Sequence, residues 1–250
     1  MDSADAGSTV DSADSAVDTA PEFPGLHLVI PVRQEVVDDA WQARVDAAAA
    51  TGGSLLVDIK SGPGDQKSSA WTTAIAAARA AHVPVLGYVN VQGGSRDPDD
   101  VARDLGRWGA WYSTDGAWFG APTGDCEASA AAYVALAALA DAYDADHDAL
   151  VAIEAPDGGC AGVYAVSDQL VTVTTGAALG TLTMPEWRSA EAADRFSFWV
   201  TDVAEGDLAA ALGAMTAQHA AGVYVTDQPG SAPFSALPSY WAAEVGAVGG

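Results

Sequence analysis

Asp115-Gly116-Ala117-Trp118-Phe119-Gly120-Ala121 is a short apolar run that leaves a helical segment and stops at two residues without functional side chains. Three apolar residues bounded by glycine are too few for a helix and read as a buried strand. Working outward, seven comparable runs recur: Leu26–Ile30, Ser54–Val57, Val85–Val89, Leu150–Ile153, Leu170–Val173, Ser197–Val200 and Val223–Val225. Pro31 closes the first of them. Helical segments separate the runs. One starts near Asp38 and Asp39, carries Trp41 and Val45, and stops at Thr51-Gly52-Gly53; a second is capped by Ser68-Ser69 and carries Trp71, Ile75 and Arg79. Others span Pro98–Tyr112, Glu127–Tyr143, Asp207–His219 and Leu237–Val245, while Val163–Val166 is barely one turn. Strands alternating with helices pair in parallel, and eight such units close into a single (β/α)8 TIM-type α/β barrel, expected over residues 26–250.

Charge narrows the partners. The formal net charge is −24, with Lys60 and Lys67 the only lysines and eight arginines besides, which excludes a phosphate-backbone or anionic-membrane partner bound through positive surface. A cationic polymer is attracted by such a surface; an acidic coat serving only solubility is the plainer alternative. The alanine-rich helix from Ala128 to Tyr143 is too short to span a bilayer. Residues 1–25 repeat Asp-Ser-Ala-Asp at 2–5 and 11–14 and read as a disordered acidic linker, of the kind that follows a removed export signal. His27, His82, His147 and His219 show no ligand spacing, so no metal site is assigned. No phosphate loop, nucleophile elbow or Cys-X-X-Cys calls for a cofactor.

Together with Val85-Leu86-Gly87-Tyr88-Val89 and Trp111-Tyr112, the opening stretch resembles the spherulin-4 family of secreted barrels, which includes hydrolases of galactosaminogalactan-type polymers. The likeness extends over Ser61-Gly62-Pro63-Gly64, Arg96, Tyr224-Val225-Thr226-Asp227 and Leu237-Pro238-Ser239-Tyr240-Trp241. It implies a glycoside-hydrolase barrel acting on amino-sugar polysaccharide. In that family the fourth strand continues into Asp-Glu, taken to be central to the active site; here Gly120 and Ala121 occupy those places. Other departures also fall at strand ends. Asp58 replaces an asparagine, Asn90-Val91 a His-Thr pair, and Glu154-Ala155-Pro156 an Asn-Pro-Gly, and no glutamate stands near Thr174-Thr175.

Glycoside hydrolysis needs two carboxyl groups, about 5 Å apart for retention and roughly 6.5–9.5 Å for inversion. Asp58, Glu154, Asp202 and Asp227 are the acids left near strand ends. Asp58 and Glu154 are the candidate relocated catalytic pair, with loop capping as the alternative role. Tyr88, Asn90, Trp118, Trp199, Tyr224 and Asp227 are the candidate sugar-binding set, against core packing for the aromatic members. Cys126 and Cys160 lie just after neighbouring strands and are expected to form a disulfide, which implies an extracellular or cell-surface location. Three functions follow from these residues: a carbohydrate binder of hydrolase descent with a degenerate site, an active hydrolase using Asp58 and Glu154, or a non-catalytic structural or partner-binding surface protein. An open aromatic cleft favours the first two; an apolar plug in the mouth favours the third.

Overall fold

Short runs of valine, leucine and isoleucine, punctuated by glycine and proline, form parallel strands in the computed structural model, which describes residues 23–120, 125–143, 148–230 and 232–249. The strands are β1 (His27–Arg33), β2 (Ser54–Asp58), β3 (Val85–Asn90), β4 (Gly116–Gly120), β5 (Leu150–Glu154), β6 (Gln169–Thr175), β7 (Phe196–Thr201) and β8 (Gly222–Val225). They pair in chain order and close into one barrel, β8 returning to β1 through His27↔Gly222 and Leu28↔Val223. Helices α1 (Trp41–Thr51), α2 (Ser69–Ala80), α3 (Pro98–Arg107), α4 (Cys126–Tyr143), α5 (Ala161–Tyr164), α6 (Gly176–Leu179), α7 (Leu208–Ala217) and α8 (Trp241–Val248) fill the crossovers. The expected (β/α)8 barrel is therefore the observed architecture. The acidic leader lies outside the described residues up to residue 22. Phe23 is docked, its backbone N–H donating to the Ala247 carbonyl at 3.0 Å.

Several local rules hold as read. Ser68 Oγ accepts from the Trp71 N–H at 3.4 Å at the start of α2, and Asp97 caps α3 with Pro98 in its first turn. Gly52 ends α1 in the left-handed conformation at φ 67°. Three expectations shift. Strand β1 does not stop at Pro31 but runs to Arg33. The N–H groups of His27 and Arg33 point toward β8 and the segment after it, reaching the carbonyls of Ala221 and Phe234. Pro31 shares their alternation, so its missing N–H faces a side that β8 has already left unpaired. Helix α1 begins at Trp41, and Asp38 instead binds Arg44 at 2.7 Å. Helix α8 starts at Trp241, after a turn in which the Trp241 N–H meets the Pro238 carbonyl.

Two features prepare the mouth of the barrel. After α3 the chain winds wider over Trp108–Tyr112 and lays the Trp108 ring against Gly87, where a Cβ would come within 2.3 Å of it. Trp108 Nε1 then donates to the Tyr88 carbonyl at 2.8 Å, fixing that stretch of β3. The Cys126–Cys160 disulfide is present as expected, with the two Cα atoms 5.8 Å apart, and it ties the first residue of α4 to the residue before α5. No helix among the described residues is long and apolar enough to cross a membrane.

Candidate functional site

Arg33 ends β1 and Glu154 ends β5, strands that stand opposite each other in the ring. Their side chains nevertheless meet, Arg33 Nη2 donating to Glu154 Oε1 at 2.9 Å. Both therefore point to the barrel axis. Strand register places Asp58 level with Arg33, Trp118 level with Tyr88, and Gly120 level with Asn90. With the two-residue alternation of strands, these positions share the inward face. The Arg33 guanidinium lies 4.9 Å from the Trp118 ring centroid, 5.4 Å from that of Tyr88 and 5.5 Å from that of Phe234. Phe234 belongs to the segment between β8 and α8, and its carbonyl accepts the Arg33 backbone N–H at 3.2 Å.

Arg33 and Phe234 were absent from the sequence-derived set. The available signal for Arg33 was its rarity, as one of ten basic residues in a chain of net charge −24. Ending the first strand at Pro31 hid its place at the strand terminus. Nothing local marks Phe234, which is brought in by a loop.

Gly120 gives the site its character. A Cβ built there would lie 2.1 Å from Tyr88 Cε2 and 2.9 Å from Cζ. The tyrosine ring thus fills the space into which any side chain from the end of β4 would project. Burial pushes the Tyr88 hydroxyl up to about 12, with the charges of Glu154 and Asp58 adding to the shift and those of Arg33 and Arg96 opposing it. It stays protonated and remains a hydrogen-bond donor at neutral pH. Ala121 lies outside the described residues.

The remaining acids divide by task. Asp58 Oδ1 accepts the Gly62 N–H at 2.8 Å, closing the turn after β2. Burial pushes its carboxyl above the usual range, against the N–H groups of Gly62 and Ser61 and the charge of Arg33. Asp227 Oδ1 accepts from the Ser239 N–H and from Gln228 Nε2, both at 3.2 Å. Burial raises that carboxyl, but the bonds from Ser239 and Gln228 outweigh it and hold it below the usual range. Asp227 thus clasps the two ends of the segment bearing Phe234. Asn90 Oδ1 accepts the Gln92 N–H at 3.0 Å; the Asn90 carbonyl accepts from Arg96, which also pairs with Asp104 at 2.6 Å.

Three of the aromatics expected to stack on sugar are sealed in the core. Trp118 and Trp199 are 0% exposed and Tyr224 1%. Trp118 meets Trp199 edge-on at 5.1 Å, and Trp199 Nε1 donates to the Val29 carbonyl at 2.8 Å. The Tyr224 hydroxyl reaches the Ala236 carbonyl at 3.5 Å, and burial raises it far above its ordinary value. Packing these rings against one another removes more apolar surface from water than an open cleft leaves buried. In this structure no face of those three rings is open for stacking.

A cavity of about 80 Å³ adjoins Glu154, lined by Cys126, Ser129, Tyr133, Pro156 and Val163 among others. Burial and the Glu154 charge push the Tyr133 hydroxyl up to about 12. A larger cavity, about 820 Å³, lies elsewhere, among Arg79, His82, Pro84, Asp115 and Leu150. These residues sit at the N-terminal ends of the strands, the face of such barrels that carries stability while chemistry occupies the other. Among the described residues no group of three or more histidine, cysteine or acidic side chains is arranged to hold a metal.

Comparison with known proteins agrees with this architecture. The family described as Spherulation-specific family 4 matches residues 27–248. The crystal structure of Aspergillus clavatus Sph3 in complex with GalNAc superposes with a TM-score of 0.74 at 17% identity, covering 90% of this chain and 99% of that one. A sugar phosphate isomerase/epimerase from Parabacteroides distasonis aligns at 9% identity over 94% of this chain and 96% of its own, with a TM-score of only 0.44. No curated protein matches the sequence.

Proposed function

The chain belongs to the spherulation-specific family 4, and from that premise we propose that it is an extracellular or surface-attached carbohydrate-binding protein of glycoside-hydrolase descent whose catalytic site is degenerate. The observation that carries this reading is the Tyr88 ring lying over Gly120, in the volume a strand-four acid requires. A barrel mouth without that acid lacks a group of the kind that contributes about 10²- to 10⁴-fold to proton transfer. What the mouth retains is polar and partly open: Arg33, Glu154, Asp58, Asn90 and Asp227, with the Tyr88 hydroxyl as donor. Such a set binds sugar hydroxyls by hydrogen bonds rather than by stacking. Amino sugars enter by analogy with Sph3, whose crystal structure holds GalNAc. The disulfide supports an oxidising location.

A second reading rests on a specific observation. Burial raises the Asp58 carboxyl above the usual range while Glu154 pairs with a guanidinium, and two carboxyls in contrasting settings are what acid–base hydrolysis uses. The apolar filling by Trp118, Trp199, Tyr224 and Phe234, and the turn-closing bonds of Asp58, Asn90 and Asp227, would suit a purely structural protein, but Arg33, Glu154 and the Tyr88 hydroxyl add a polar group at the barrel axis that a plug alone does not call for. A glycan-binding screen paired with a reducing-end release assay separates the readings. Binding without release is the expected result. Cleavage of α-1,4-galactosamine-containing polymer, abolished by Asp58→Asn or Glu154→Gln, would promote the relocated-acid hydrolase, and absence of any glycan binding would leave the structural role.

A further inference from the structure

The Arg33 guanidinium is enclosed by groups from four other parts of the fold: the rings of Trp118 at 4.9 Å, Tyr88 at 5.4 Å and Phe234 at 5.5 Å, and the Glu154 carboxylate at 2.9 Å. An aromatic face attracts a cation within about 6 Å of its centroid, and several faces around one charge make a cage for organic ammonium groups. A carboxylate at the wall completes such a cage. The structure therefore holds a built cation site with the protein's own arginine in it.

The occupant is not sealed from solvent. Its side chain is 38% exposed, and its buried Nε has no hydrogen-bond partner among the described residues. Arg44, in the helical layer, also has guanidinium nitrogens without a partner among the described residues, but it is sealed at 1% side-chain exposure. Arg33 is the basic group that meets the Glu154 carboxylate at 2.9 Å, and Asp58 stands level with it in register and feels its charge. Removing Arg33 takes a positive charge away from beside Glu154 and Asp58, in a chain whose net charge is already −24. The vacated cage would take another cation in preference to a neutral group.

We propose that this cage is a subsite for a protonated amine, which on the carbohydrate-binding reading above is the ammonium of an amino sugar, and that Arg33 keeps it shut until the ligand amine displaces the guanidinium. The exchange trades one cation for another and involves no covalent step. Because the ligand must compete with an internal group, the apparent affinity of the native protein is reduced by the fraction of molecules with the cage open.

The test is titration of native protein and Arg33→Met with tetramethylammonium, galactosamine, N-acetylgalactosamine and galactose, followed by calorimetry and by tryptophan fluorescence, since Trp118 forms one wall. Tetramethylammonium and galactosamine should bind Arg33→Met about tenfold or more tightly than native protein, as expected if the cage is open in a tenth of native molecules or fewer. The two neutral sugars should show no such gain, and adding Glu154→Gln to Arg33→Met should remove it. Equal affinity of native and variant protein for the cations, or no cation binding to either, would overturn the proposal. If Arg33→Met fails to fold by circular dichroism, Arg33→Lys replaces it. Lysine lacks the planar fork of donors, so an intermediate gain is expected and an unchanged affinity refutes the cage. Tetramethylammonium binding without any sugar binding would keep the cage and sink the carbohydrate reading; an equal gain for galactose and galactosamine in Arg33→Met would do the reverse.

Discussion

Gly120 and Tyr88 act as one unit, because the ring stands where the next carbon of a larger residue would go. Gly120→Ala should cost about 1–3 kcal/mol through overpacking, and that cost should vanish in a Tyr88→Ala background. A double-mutant cycle by urea unfolding measures the coupling, and additive effects would show that the ring yields freely. By the same geometry, an acid introduced as Gly120→Asp would have to displace the Tyr88 ring before it could act, so on the degenerate-site proposal a reducing-end release assay of Gly120→Asp with Ala121→Glu should stay at background. Away from the mouth, Glu244 on α8 is wholly buried and its Oε1 accepts the Val225 N–H at 2.6 Å. Burial raises its carboxyl from 4.5 to about 8 despite that N–H. The folded state thus holds a proton that the unfolded chain has released, so this stabilisation is complete below about pH 4.5 and is lost as pH rises toward 8. Native protein should melt progressively lower between pH 5 and 8 than Glu244→Gln, which keeps the Val225 acceptor and does not titrate. Parallel pH dependences in the two proteins would count against the assignment.

At the scale of elements, the eight strands were legible because each is an apolar run bounded by turn residues, and their alternation with helices dictates parallel closure. The ends were less so. Strand β1 passes through Pro31 because its pairing on one side has already stopped, which no local pattern reveals. Asp58 and Glu154 were recognisable as strand-end acids, but not the role of Trp118 and Trp199: in strands buried on both faces, hydrophobicity does not say which side chain faces the axis. Phe234 was invisible for a different reason, since it owes its place to a loop of irregular backbone. The disulfide follows from strand adjacency alone. Its half-cystines are 34 residues apart, and closing a loop of that size stabilises the fold by about 3–4 kcal/mol on a chain-entropy estimate. Cys126→Ser with Cys160→Ser should therefore lower the melting temperature by roughly 6–15 °C for a domain of this size. A shift of a degree or two would mean that α4 and α5 are held by packing alone.

For the whole molecule, the net charge of −24 sets a long-range field that no single contact supplies. Capture of a cationic glycan should weaken as salt is raised, because the Debye length falls to about 8 Å at physiological ionic strength; calorimetry at two salt concentrations checks this, and salt-independent binding would confine recognition to the contacts of the mouth. The bond from Phe23 to Ala247 bears on a different property, the order in which the units are written along the chain. With the first and last described turns side by side, the barrel is a ring whose starting point is arbitrary. A circular permutant joining the two by a short glycine-serine bridge and cut at the exposed Gly206 should fold to the same circular-dichroism spectrum, since ends this close tolerate rejoining and exposed loop tips tolerate cutting. Failure of that permutant to fold would show that β1 must be made first, and that the ring closes around it in a fixed order.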